Sequence, residues 1–229
     1  MLDPLEISTP PTCDVPADLA TSDRTGSLVL MRREYERIII GNEFTVEVLD
    51  IKPGHWETSG GFARLLFGFT LEPGKHVTLH SRCRTPASVT GDELSVRFLE
   101  TVPAQECARV ALCGSANIWQ ELLPDNEPTL QTLPDGAGIS VCRKKLQRVQ
   151  LGPDFFVTVA AISKKRTRLE INAKLYEGDH FDTDAAVVSV VAVERNRVRI
   201  GTRAPADLSI DREEIAFRRA AETALRGSK

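Results

Sequence analysis

The sequence predicts an all-β chain of mainly antiparallel strands, closed by one short C-terminal α-helix. Three observations predict it: apolar residues recur with period two, turn residues break these runs at short intervals, and helical spacing appears only at the end. In chain order, Leu28 and Leu30 alternate with Val29 and Met31. Arg37 then leads the β-branched Ile38, Ile39 and Ile40 to a turn at Gly41-Asn42, and Phe44, Val46 and Val48 alternate with Thr45, Glu47 and Leu49. Val77 and Leu79 alternate with His76, Thr78 and His80, so this segment also reads as a strand. Near the end Asp211, Arg212, Glu213 and Glu214 precede Ile215, Phe217, Ala220, Ala221 and Leu225, a helix whose N-cap candidate is Asp211.

One pattern recurs four times: a glycine, an alternating apolar strand, a turn, and a second strand led by arginine. The copies begin at Gly41, Gly91, Gly152 and Gly178. Their first strands are residues 44–49, 94–99, 155–160 and 187–193, and their second strands 64–68, 109–114, 168–173 and 197–201. Matching leaders precede the first and third copies, residues 28–33 (LVLMRR) and 139–144 (ISVCRK). The paired leaders favour duplication of a small β unit. For the copies at Gly91 and Gly178 taken alone, chance resemblance between hairpins is the stronger reading.

The 229 residues carry 41% hydrophobic and 27% charged side chains with a net charge of -3, which excludes disordered and fibrous classes. No apolar run approaches the ~18 residues of a membrane span, and the start of the chain lacks a signal-peptide pattern, so a cytoplasmic protein is expected. Residues 1–26 hold five acids (Asp3, Glu6, Asp14, Asp18, Asp23) and only Arg24 as a base, and read as a disordered acidic tail. The remainder is close to neutral, so a nucleic-acid surface would have to be a local patch. Residues 138–170 are the most basic stretch, with eight bases against Asp154 and Glu170. They fit either a phosphate-tracking groove or, at Lys164-Lys165-Arg166, a solvated turn. Arg195, Arg197 and Arg199 alternate along one strand face, which suits solvent as well as a ligand.

The five cysteines (Cys13, Cys83, Cys107, Cys113, Cys142) are scattered, which argues against a disulfide framework or zinc ribbon. On a strand His76 and His80 would stand about 13 Å apart, too far to share a zinc ion with Cys83. No nucleophile elbow, phosphate loop or dinucleotide fingerprint occurs, so neither an enzyme nor a cofactor or metal site is expected.

Residues 27–51 (SLVLMRREYERIIIGNEFTVEVLDI) and 193–222 (VERNRVRIGTRAPADLSIDREEIAFRRAAE) together resemble the carbon storage regulator (CsrA/RsmA) family of bacterial messenger-RNA-binding proteins. The first resembles that family's opening three strands and the second its closing strands and helix. The specific elements are R-V-R-I-G-x-x-A-P at 197–205 and R-E-E-I at 212–215. The family's interlocked homodimers imply that this chain is a single-chain pseudodimer. A first half at 27–125, degenerate after residue 51, and a second half at 126–229 would interlock as one domain, preceded by the tail 1–26. The resemblance further implies that the strand at 28–33 lies beside the last strand at 208–211, and that RNA is gripped by Leu28, Leu30, Arg32, Arg33 and Arg212 with Ile215 packed beneath. A degenerate second site would join Arg143 and Lys144 to His80 and Arg82.

The chemistry is consistent with that implication, since a guanidinium fork matches phosphate or the O6/N7 edge of guanine, and single-stranded loops expose both. The alternative for these arginines is a solvated outer strand with Arg212 paired to a nearby glutamate. Departures from the family's pattern are Met31 for threonine, Tyr35 for glycine and Asp211 for histidine. A carboxylate at 211 either repels RNA or caps the helix. The expected function is a monomeric, cytoplasmic post-transcriptional regulator that occupies GGA-containing loops of messenger RNA leaders and alters translation or message stability. The rival is a scaffold of the same kind that has lost RNA and binds a regulatory protein partner.

Overall fold

The computed structural model describes residues 25–41, 44–54, 60–81, 93–114, 131–133, 136–150, 156–183 and 186–227. Sixteen strands, one α-helix and a short 3-10 helix (Pro103–Gln105) lie among them. They are β1 (Thr25–Arg32), β2 (Arg37–Ile40), β3 (Phe44–Lys52), β4 (Phe62–Leu71), β5 (His76–Ser81), β6 (Glu93–Val102), β7 (Cys107–Gly114) and β8 (Gln131–Leu133). The second part of the chain adds β9 (Gly136–Lys144), β10 (Arg148–Gln150), β11 (Phe156–Ile162), β12 (Thr167–Tyr176), β13 (His180–Asp182), β14 (Val187–Val193), β15 (Val198–Pro205), β16 (Ile210–Arg212) and α1 (Glu213–Gly227). The fold class is the expected one, antiparallel β with one α-helix, at the C-terminal end, among the described residues.

The strands form a nine-stranded sheet, β1-β15-β14-β13-β5-β6-β7-β9-β8, and a seven-stranded sheet, β10-β11-β12-β4-β3-β2-β16. Period-two alternation gives each sheet one apolar face. Ile38, Val46, Leu65, Phe67, Leu169 and Ile171 of the smaller sheet share one core with Phe98, Leu112, Ile139, Phe181, Val190 and Ile200 of the larger. Phe67 and Phe181 stack across it with centroids 3.9 Å apart.

All four sequence copies are hairpins, β3–β4, β6–β7, β11–β12 and β14–β15. Each carries a register shift at the same point, after Val48, Phe98, Val159 and Val190. Each is also clamped by the same pair of main-chain bonds from a preceding turn. Tyr35, Gly74, Leu146 and Gly178 donate to the carbonyls of Val48, Phe98, Val159 and Val190, whose own N–H groups donate to Glu36, Lys75, Gln147 and Asp179. The four donors all have positive φ, between 66 and 86°. The repeat is therefore real at Gly91 and Gly178 as well, and its signature lies in backbone bonds rather than in side chains.

Five strand pairs join the two halves: β1 with β15, β2 with β16, β7 with β9, β4 with β12, and β5 with β13. The leader strand of each repeat pair, β1 or β9, thus lies beside the last hairpin strand of the other half. Phe67 and Ile171, equivalent positions of the repeat, stand directly opposite one another, which places an internal twofold between β4 and β12.

Three expectations are corrected. The strand at 28–33 does not lie beside the one at 208–211. β1 pairs with β15, whereas β16 pairs with β2 in the other sheet, so the pairing that the pseudodimer reading required is absent. β15 offers β1 eight register partners, and the short β16 is left to close the opposite sheet beside β2. β5 does not approach β9, because β6 and β7 intervene. Finally, the acidic tail does not extend to residue 26, since Thr25 and Gly26 already pair with Pro205 and Ala204 through main-chain bonds that need no apolar side chain. Residues 1–24 lie outside the described residues.

Candidate nucleic-acid interface

Among the described strands β1 is an edge strand, hydrogen-bonded only to β15. It is also much the longest edge: the other three, β8, β10 and β16, have three residues each against eight in β1. A long open edge is a row of main-chain donors and acceptors able to take an extended ligand.

Alternation along β1 sends Leu30 and Arg32 inward and leaves Val29 and Arg33 outside. Leu30 belongs to the core, so of the expected apolar contacts only Leu28, 37% exposed, presents its side chain. Arg32 is 3% exposed. Its Nη1 donates to the Met31 carbonyl at 3.0 Å and lies 3.7 Å from Glu36 Oε2, while Nε and Nη2 have no hydrogen-bond partner. Desolvation holds this guanidinium below its ordinary pKa, the charge of Arg212 adds to the effect, and Glu214 and Glu36 oppose it.

Arg212 reaches this neighbourhood from the opposite sheet. It ends β16 opposite Ile38, and so shares the inward side of β2 at the open rim of the sandwich. Arg32 and Arg212, 180 positions apart in sequence, thereby feel one another's charge without belonging to adjacent strands. Ile215 is half-buried in the first turn of α1, and the helix is tied back to β2 by Arg37, whose Nη1 donates to Glu213 at 3.3 Å while its Nε is engaged by Glu47. The hydrogen bond to Glu47 raises the pKa of Arg37. Sequence reasoning passed over Arg37 and Glu47, although their positions opposite each other across a tight turn were the available signal.

Asp211 does not cap the helix. It is a strand residue, two positions before the helix, and its carboxylate accepts from Arg219 Nη1 at 2.7 and 2.8 Å. Its charge is directed away from Arg212 because it faces the outer side of the sheet, opposite Ile39.

The turn after β9 repeats that after β1 in detail. Lys144 N donates to Gln147 Oε1 at 2.9 Å as Arg33 N donates to Glu36 Oε2 at 3.0 Å, and Arg143 Nη1 donates to the Cys142 carbonyl as Arg32 does to that of Met31. Arg143, Leu146, Gln147 and Arg148 line a shallow depression of about 550 Å³. The expected companions do not join them. His80 lies in β5, opposite Asp182 and Glu93 in the middle of the large sheet, and Arg82 lies outside the described residues. The segment that follows β7 as β16 follows β15 also lies outside them.

Of the other basic stretches, Lys164 and Lys165 are exposed in the β11–β12 turn, and Arg166 pairs with Glu72 at 3.0 Å. Arg197 donates to Met31 Sδ at 3.4 Å and Arg199 pairs with Glu194 at 3.2 Å. Among the described residues no group of three or more His, Cys, Asp or Glu side chains is placed to hold a metal, and no helix is long and apolar enough to cross a membrane. Comparison with protein-family models, with curated proteins and with solved structures gave no match.

Proposed function

We propose that this protein is an RNA-binding post-transcriptional regulator, similar in action to the carbon storage regulators, that takes single-stranded GGA-containing loops of messenger RNA leaders on the rim formed by β1, β16 and the start of α1. The observation that carries the reading is the convergence of Arg32 and Arg212 from two sheets, with Arg32 desolvated and two of its nitrogens unpartnered. Evolution of a purely structural rim would pair such a group or replace it, because an unpartnered buried donor costs about 1–3 kcal/mol. An anion bound at the rim near the two guanidinia would relieve their mutual repulsion. The edge of β1 supplies main-chain groups to the same ligand, and Arg33 lies outside for a neighbouring phosphate. Action in the cytoplasm as a monomer belongs to this proposal.

The test is titration of a fluorescent GGA hairpin across salt concentrations. Arg212→Ala should weaken binding by about 1–3 kcal/mol, and Arg143→Ala much less. Equal, salt-suppressed binding of hairpins with and without GGA, untouched by Arg212→Ala, would overturn the reading. One observation favours the rival, a protein-binding scaffold: α1 leaves Phe217 65% and Leu225 71% exposed. Loss of a protein partner, but not of RNA, on Phe217→Ala would select it.

A further inference from the structure

We infer that the outer face of the seven-stranded sheet, around Phe62, Tyr176 and Phe156, is a second binding surface, one that stacks the bases of single-stranded RNA flanking the loop held at the rim. The inference rests on the RNA reading above but uses none of its residues.

Register builds the face. Lys52, Phe62 and Tyr176 stand side by side on β3, β4 and β12, and Phe156, Asn172 and Leu66 on β11, β12 and β4. All point away from the core, the opposite parity to Ala63, Leu65, Ile171 and Val157. The Phe62 and Tyr176 rings lie 5.7 Å apart with planes tilted by 59°, and Lys174 Nζ sits 4.1 Å and 5.1 Å from their centres. Arg148 lies 5.1 Å from the centre of Phe156. At ~3.3 Å per residue and ~4.8 Å per strand the two aromatic positions are about 14 Å apart, which separates them by more than one base.

Charge selects the occupant. On β10, β11, β12, β4 and β3 the outward positions carry Arg148, Arg168, Lys174, Arg64 and Lys52 against Glu170, Glu47 and Asp50, an excess of cations in a chain whose net charge is -3. Arg168 reaches over Gly68 to Thr45 at 2.7 Å, a path that any Cβ at position 68 would block. Half-buried rings with cations at their faces match bases on rings and phosphates on cations, whereas a protein partner would favour an apolar centre with few charges. Nor is the face a by-product of duplication. The internal twofold carries the Phe62–Tyr176 position onto Arg166–Glu72, an ion pair.

Two probes separate this inference from the reading it rests on: a GGA hairpin with and without an eight-nucleotide uridine flank, and dodecauridine alone. The flank should tighten binding about tenfold, and Phe62→Ala with Tyr176→Ala should remove that gain while leaving the bare hairpin unchanged. Tyr176→Phe, which keeps the ring, should retain it, and circular dichroism should be unaltered in every variant. Dodecauridine should bind Arg212→Ala as it binds the native chain, and 4-thiouridine in it should crosslink to the peptide holding Phe62 or Tyr176. A hairpin bound through Arg212 whose affinity ignores the flank overturns the second surface and leaves the rim standing. Loss of hairpin discrimination with flank and dodecauridine binding intact overturns the rim alone. Binding of polyglutamate as strong as that of dodecauridine would show a merely polyanionic surface and overturn the stacking.

Discussion

At the rim of the sandwich, Arg32 faces inward where alternation demands an apolar residue, and the chain supplies partners for only part of its guanidinium. Replacing such a group by a hydrophobe of similar length removes a desolvation cost, so Arg32→Met is expected to raise the urea midpoint, by about 1–2 kcal/mol of stability, while it abolishes hairpin binding. Urea titration beside fluorescence anisotropy reads both, and a variant that is less stable would show the arginine to be structural. At Asp211 the carboxylate neutralises Arg219 on the outer side of the sheet. Asp211→His removes a negative charge near the rim and frees Arg219, so tighter RNA binding is expected. Its stability cost is small, about 0.5 kcal/mol or less, because Arg219 is largely exposed. Anisotropy at one salt concentration decides it, and unchanged affinity would mean that the carboxylate never reached the RNA path. Both residue types are plain in the sequence. Their orientation is not, since whether 32 or 33 points inward depends on which face of β1 the second sheet covers.

At the scale of one element, the four clamped turns show how local chemistry and repeat history differ. Two use glycine at the positive-φ position, Gly74 and Gly178, and two use side-chain-bearing residues, Tyr35 and Leu146. A Cβ there costs about 1 kcal/mol, which the duplicated main-chain clamp sustains. Gly178→Ala is therefore expected to destabilise the fold by about 1 kcal/mol although nothing lies within 4 Å of the new methyl group, and Leu146→Gly to be neutral or mildly stabilising. Thermal denaturation of both variants measures it. A neutral Gly178→Ala would deny that backbone conformation selects the residue. The four hairpins were legible from their alternation and arginine-led second strands. The clamps were not, because they join N–H and C=O groups, which every sequence carries alike.

For the whole molecule, the pairing of each half's leader strand, β1 or β9, with the other's last hairpin strand makes the halves mutually dependent. Residues 27–125 expressed alone would leave the edges of β1, β2, β4, β5 and β7 open, and should be unfolded or aggregated. Co-expressed with 126–229, the fragment should recover a native circular dichroism spectrum and elute near the intact chain's 25.2 kDa. A stable, monomeric first half would contradict this dependence. By itself, the sequence determined the all-β class, the four hairpins and the C-terminal helix, because alternation and turn chemistry act over a few neighbouring residues. It also picked out Arg32, Arg33 and Arg212 by residue type and motif. Only the tertiary structure decided that β1 lies beside β15 and β16 beside β2, and that His80 is remote from Arg143. Antiparallel strands of similar apolar pattern are interchangeable partners until the whole of both sheets must close over one core, and that condition is met by all the strands together.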